Sequence, residues 1–215
     1  MKPITVVIAD DHPIVLLGVS ELIKRDDRFL VVGEASSPSQ LIQELNSKKP
    51  DVLISDYSMP GDSIYGDGLK LMEYLVRNYP FLKILVLTMV SNSSIFSRLY
   101  DLGVAGVVEK NQLHAEIQHA LDALIHRRKY KCLASNKNQS GSEGSQIEER
   151  LALLSLRELE VLRLFYFGKS LRDIADDHHR SPKTISTQKV AAMRKLGVKT
   201  DQELMAFCRD ANLFQ

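Results

Sequence analysis

The sequence predicts an α/β domain, an open, doubly wound sheet of five parallel strands, followed by a small all-α domain of four helices. Three observations carry this. Short apolar runs alternate with helix-period segments five times in the first 126 residues. A stretch with no apolar side chain, SNKNQSGSEGSQ at 135–146, follows. Beyond it come four helix-start signals, at Ser155, Ser170, Ser181 and Thr200.

In chain order, the strands are predicted at Ile4–Ala9, Phe29–Gly33, Val52–Ser55, Ile84–Leu87 and Gly106–Val108. The helices between them are Pro13–Lys24, Pro38–Asn46, Gly68–Asn78, Ser93–Leu102 and Leu113–His126. The last aligns Leu113, Ile117, Leu121, Leu124 and Ile125 on one face. The polar stretch cannot bury enough surface to offset its ordering entropy, so it reads as a linker with a random-coil span of roughly 20 Å. The expected division is a first domain at 1–126, a linking region at 127–150 and a second domain at 151–215.

In the second part, Ser155-x-x-Glu158 forms a capping box ahead of Leu156, Leu159, Leu162, Phe165 and Phe167, and Gly168 closes that helix. Ser170-x-x-Asp173 opens a short helix carrying Leu171, Ile174 and Ala175. Ser181-Pro182 sets a cap and a proline at the first helical position of a helix running to Leu196 and Gly197. Thr200-x-x-Glu203 starts the fourth, with Leu204, Phe207, Cys208 and Ala211. Two short helices joined by a tight polar turn make a helix-turn-helix pattern.

Charge supports the same division. Residues 1–126 hold 11 Lys and Arg against 16 Asp and Glu, a net of −5, whereas 127–215 hold 17 against 11, a net of +6. The second part is therefore the one suited to a polyanion. Cys132 and Cys208 make neither a disulfide framework nor a zinc site. No run approaches 18 apolar residues and Met1-Lys2-Pro3 leads straight into a strand, so a cytoplasmic protein with no membrane partner is expected, nucleoid-associated when bound to DNA.

Ligands of an open α/β sheet bind at the carboxyl ends of its strands. Here the first strand ends in Asp10-Asp11, the third in Asp56, the fourth in Thr88 and the fifth in Lys110. Three carboxylates in one pocket repel one another unless a cation sits among them. An oxygen-only set with few protein donors suits Mg²⁺, and Thr88 and Lys110 opposite it suit a phosphoryl group.

The motifs IADDHPIVLLGV, LISDYSMPG, VLTM and GVVEK resemble those of bacterial response-regulator receiver domains across roughly the first 126 residues. The resemblance implies a flavodoxin-like receiver fold. Asp56 would accept a phosphoryl group from a phosphohistidine on a histidine kinase or phosphotransfer protein. Asp10, Asp11, Asp56 and the Ser58 backbone carbonyl would hold Mg²⁺, and Thr88 and Lys110 would meet the phosphoryl oxygens. His12 reads as local structure. Val107 stands where receivers often carry an aromatic side chain, and Met89 where a small residue is common.

The third helix of the second part has the charge of a nucleic-acid reader, with five basic and no acidic residues from Arg180 to Lys195. Ile185, Ala192 and Leu196 would face the core. Lys183, Thr184, Ser186, Thr187, Lys189, Val190 and Arg194 are the candidate DNA-facing set. Cations would meet phosphates, and hydroxyls and the valine methyls would meet base edges. The segment LSLRELEVLRLFYFGKS…SPKTISTQ…RKLGV is similar to the LuxR-type (NarL/FixJ family) DNA-binding domain over 151–212. By that pattern the last helix, 201–212, would supply a dimer contact. The acidic-imidazole run at 176–179 lacks the spacing of a closed metal site.

The resulting expectation is a phosphorelay transcription regulator, not an enzyme. It would bind promoter DNA as a homodimer or as a heterodimer with an auxiliary regulator. The alternatives are a phosphorylation-independent regulator switched by a protein partner, and a phosphoryl-transfer enzyme. Against the last, no Gly-rich phosphate loop or D-x-D pair is present.

Overall fold

The computed structural model describes residues 2–62, 64–89, 93–126, 128–130, 147, 150–151, 153–211 and 213–214. Most of the expected linker, Cys132 and the last residue of the expected dimer helix, 212, lie outside the described residues. The chain forms two compact units.

The first unit is a parallel five-stranded sheet in the order β2-β1-β3-β4-β5. Its strands are β1 (Ile4–Ala9), β2 (Phe29–Ala35), β3 (Val52–Asp56), β4 (Lys83–Thr88) and β5 (Gly106–Glu109). Helices α1 (Pro13–Lys24), α2 (Pro38–Lys48), α3 (Gly68–Asn78), α4 (Ser93–Leu102) and α5 (Leu113–Ile125) follow the strands in turn. This is the doubly wound arrangement, with its switch point between β1 and β3. The central strands β1, β3 and β4 are buried through most of their length, which is why their sequences are continuous apolar runs.

β1 has the expected bounds, and the other four strands extend one or two residues beyond the runs that predict them. β2 continues through Glu34 and Ala35 because a register shift between Val6 and Val7 lets Ala9 pair with Ala35. β3 takes in Asp56 because that residue still pairs with Leu87. One core cluster lies between α1, α5 and the sheet, from Val6, Ile8 and Val19 to Ile117, Leu121 and Leu124. Beyond α5 the chain returns to the sheet edge, where Tyr130 bridges Gly106 and donates its amide to the Ala105 carbonyl at 2.9 Å. The approach is close: a Cβ at 106 would stand 2.7 Å from Leu85 Cδ1 and 3.0 Å from the Tyr130 Cβ, so a side chain there would have to push its neighbours aside.

The second unit holds α6 (Leu156–Tyr166), α7 (Leu171–Asp177), α8 (Pro182–Leu196) and α9 (Asp201–Asp210). Ser155 and Glu158, and Ser170 and Asp173, form the expected reciprocal capping boxes. The third such pair, at the fourth helix, is open: Thr200 accepts from the Glu203 amide at 3.1 Å, but Glu203 takes the Lys199 amide instead. α6 buries Val161 and Leu164 as well as Leu159 and Leu162, while Phe167 lies past its end and is exposed. Among the described residues no helix is long and apolar enough to cross a membrane.

Candidate functional site

Asp10, Asp11, Asp56, Thr88 and Lys110 all stand at the carboxyl edge of the sheet, as their strand ends require. β1 places Asp10 there and fixes it, since its amide donates to the Ala35 carbonyl at 3.0 Å. The Asp10 carboxylate turns back to accept from the His12 amide at 2.9 Å, which shapes the entry to α1. Asp10, Asp56 and Thr88 are nearly inaccessible, whereas Asp11 is partly open.

The Lys110 ammonium lies 2.7 Å from Asp10 Oδ2 and 3.0 Å from Asp56 Oδ2, so a single cation spans two buried carboxylates. Burial works to lower the Lys110 pKa, but Asp56 and Asp10 hold it above the ordinary value. Asp56 behaves oppositely. Burial pushes its carboxyl up to about 7, with Asp10 adding to the rise, against the opposing pull of Lys110 and of the Ser58 amide. Burial is the largest cause, and the single ammonium shared with Asp10 does not offset it.

Among the described residues, the group of His, Cys, Asp and Glu ligand atoms gathered within 4.8 Å of one another is Asp10, Asp11, His12 and Asp56. Asp10 Oδ2 and Asp11 Oδ1 are both buried. Their neighbours are charge contacts, from Lys110 to Asp10 and from His12 Nδ1 to Asp11 at 2.9 Å. With one ammonium among three carboxylates the cluster is a net-negative, oxygen-rich site, which fits a hard divalent cation. His12 joins the rim although sequence reasoning set it aside, because the turn into α1 points its ring back over Asp10 and Asp11. Its adjacency to the acidic pair was the available signal.

In the second unit, α8 sends Ile185, Ala192 and Leu196 into the core and leaves Lys183, Thr184, Thr187, Val190 and Arg194 exposed and Ser186 half-buried. The turn before it is closed by His179 at φ 50°, with the Arg180 amide reaching the Ala175 carbonyl at 2.8 Å. The polar run at 176–179 therefore ends a helix, and Asp177 pairs with Lys169 at 2.6 Å.

Lys189 is a correction to the expected DNA-facing set. It is buried, with its ammonium 3.7 Å from the centre of the Phe165 ring and 2.7 Å from Asp201. Four residues on from Ile185, it stands on the apolar side of α8, where its stem packs and its charge joins α6 to the start of α9.

Residues 6–122 match the family described as response regulator receiver domain, and residues 152–208 that of bacterial regulatory proteins, luxR family. The transcriptional regulatory protein RcsB of Escherichia coli (strain K12) is 41% identical over 214 residues, covering 99% of this chain and 97% of that protein. The oxygen regulatory protein NreC of Staphylococcus carnosus is 31% identical over 210 residues, covering 94% and 95%. RcsB from Salmonella enterica serovar Typhimurium, bound to promoter rprA in the presence of the phosphomimetic BeF3-, superposes with a TM-score of 0.80. Its identity is 40%, over 96% of this chain and 98% of that one. A structure of two RcsB dimers bound to two parallel DNAs gives 0.77 at 40% identity and the same coverage.

Proposed function

The chain belongs to the response regulators that join a receiver domain to a LuxR-type domain, and on that footing we propose that it is a transcription regulator switched by phosphorylation of Asp56. The observation that carries this reading is the Lys110 ammonium held between Asp10 and Asp56 at one strand edge. A buried carboxylate beside a fixed cation, with Thr88 at the end of the neighbouring strand, has the parts of a phosphoryl acceptor.

The donor is a phosphohistidine on a kinase or phosphotransfer protein. An Asp56 oxygen attacks phosphorus, the O–P bond forms as the P–N bond breaks, and the imidazole leaves as the nitrogen base. Lys110 moves from its carboxylate partners toward the transferred oxygens, and Thr88 donates to another. Asp10, Asp11, Asp56 and the Ser58 carbonyl would hold Mg²⁺. When bound, Mg²⁺ supplies charge neutralisation among the carboxylates and coordination for phosphoryl oxygens. The added charge biases the receiver toward a second protomer or partner regulator.

The helical unit reads promoter DNA through Lys183, Thr184, Ser186, Thr187, Val190 and Arg194, as a dimer on two half-sites about one turn apart. Intact mass after acetyl phosphate with Mg²⁺ tests the switch: one phosphoryl adduct on the parent and none on Asp56→Ala. Absence of an adduct on the parent would leave the reading without its switch.

A second reading, in which a protein partner sets the state, is favoured by Val107, which is fully buried and offers no aromatic ring to turn. It requires promoter binding by Asp56→Ala equal to the parent's and lost without that partner.

Lys183 and Lys189 separate contact from scaffold. Lys183→Ala should weaken binding to every duplex and lower the slope of log affinity against log salt by about 1. Lys189→Ala should leave that slope alone and destabilise the helical unit by about 2 kcal/mol through the lost cation–π and ion-pair contacts. Salt titrations and thermal melts of the two variants check both, and equal slopes in both would merge their roles.

A further inference from the structure

The connection between β3 and α3 carries Ser58, and a carboxylate in its middle ties it to a different part of the site. Asp62 accepts four hydrogen bonds. Ser39 gives two, from its amide at 2.8 Å and its hydroxyl at 2.5 Å; Ile64 and Tyr65 each give an amide at 2.9 Å. Burial works against this carboxylate, but the Ser39 hydroxyl and the amides of Tyr65, Ile64 and Ser39 hold it below the usual carboxylate range.

Ser39 lies in the first turn of α2, where amides lack partners within the helix. Ser37 caps the Gln40 amide, Gln40 returns to the Ser36 amide, and that first turn holds no acidic residue of its own. Asp62 supplies the missing anion from 23 residues away.

The consequence is a closed circuit around the acidic cluster. Asp10 is bonded through its amide to Ala35, Ala35 leads through Ser36 and Ser37 into α2, and α2 is bonded through Ser39 to Asp62. Asp62 leads back through Gly61, Pro60 and Met59 to Ser58, whose amide donates to Asp56. Met59 is fully buried and fixes where this strand of the circuit sits. Gly61, at φ 98°, leaves the direction of the chain beyond it open until Asp62 is held.

We propose that Asp62 is a positioning residue for the cation site: by clamping the β3–α3 connection to α2 it fixes the Ser58 backbone relative to Asp10 and Asp56. The inference rests on the reading of that cluster as the Mg²⁺ and phosphoryl site. Asp62 touches neither cation nor phosphate; it sets how much reorganisation binding demands.

The test is calorimetric titration of the full chain with MgCl₂, alongside the initial rate of labelling by acetyl phosphate as Mg²⁺ is varied. Asp62→Ala should raise the Mg²⁺ dissociation constant about tenfold, the scale of losing a group that orients ligands. The rate at saturating Mg²⁺ should stay within about twofold of the parent, because the reacting groups are intact. Asp62→Asn, which keeps an acceptor for Ser39, should recover most of the affinity. Ser39→Ala, removing one bond of the four, should weaken Mg²⁺ less than Asp62→Ala and serves if that variant does not fold. An unchanged Mg²⁺ affinity in Asp62→Ala and Ser39→Ala, or a fall in saturated rate with no change in Mg²⁺ dependence, overturns the proposal. A parent that binds no Mg²⁺ overturns the underlying site reading itself.

Discussion

Asp56→Asn is expected to abolish labelling and, in chelator-treated protein, to make the receiver more stable than its parent at neutral pH. Asp56 is 4% exposed and shares one ammonium with Asp10. Its pKa is raised by burial from 3.8 to about 7 in the folded protein. Below its unfolded value the group is protonated in both states and costs nothing. As pH rises through 3.8 toward about 7 the unfolded chain releases the proton while the folded site retains it, so the parent loses stability; above about 7 the penalty is complete.

The gap between those values corresponds to at most about 4 kcal/mol, and relaxation of the site brings the expected gain to about 1–3 kcal/mol. Asparagine keeps the shape and leaves Asp10 and Lys110 as a balanced pair. Urea denaturation in chelator at pH 4 and pH 8 measures it: the variant's advantage should be small at the lower pH and full at the higher. Mg²⁺ should then narrow the difference by stabilising only the parent. An advantage of equal size at both pH values would mean that packing, not charge, sets the result. The physical content is a trade: the acceptor carboxylate is held ready by being held at a cost.

How much of this was legible in the sequence depends on the range over which each feature is encoded. Strand ends and helix starts are local. Pro13, Ser37-Pro38 and Ser181-Pro182 open α1, α2 and α8, because caps and periods are written within four residues of where they act. The acidic edge was legible for a related reason, since an α/β topology sends every strand end to one side. Lys189 was misplaced although its spacing from Ile185, Ala192 and Leu196 puts it on the apolar side of α8; its charge concealed that register. The Asp62–Ser39 clamp had no local signal, as its partners belong to different connections and meet only once the sheet orders them. α6 shows a further limit. A single apolar stripe was read where the helix is buried on more than one side, because Val161 and Leu164 pack on α7 and α8 residues such as Ile174 and Ile185.

The same helix carries the second large effect. Arg163→Met is expected to destabilise the helical unit by about 3–5 kcal/mol, the usual range when one partner of a buried pair is removed. Arg163 is 1% exposed and Glu160 8% exposed. The guanidinium grips the carboxylate twice, Nη2 to Oε1 at 2.8 Å and Nε to Oε2 at 3.1 Å, across one helical turn. An exposed i,i+3 pair of this kind contributes only about 0.2–0.5 kcal/mol. Burial changes the arithmetic, because methionine fills the volume of the arginine stem but removes the buried cation that grips the Glu160 carboxylate. The companion change settles which term dominates. Arg163→Met with Glu160→Gln removes both charges, and such replacements are often neutral or stabilising, so the double variant should recover most of the loss. Chemical denaturation of the four proteins closes a double-mutant cycle, and the coupling energy should be about 2–3 kcal/mol. Were the double variant as unstable as Arg163→Met alone, the loss would come from packing of the arginine stem, and the ion pair would be incidental to the stability of the unit.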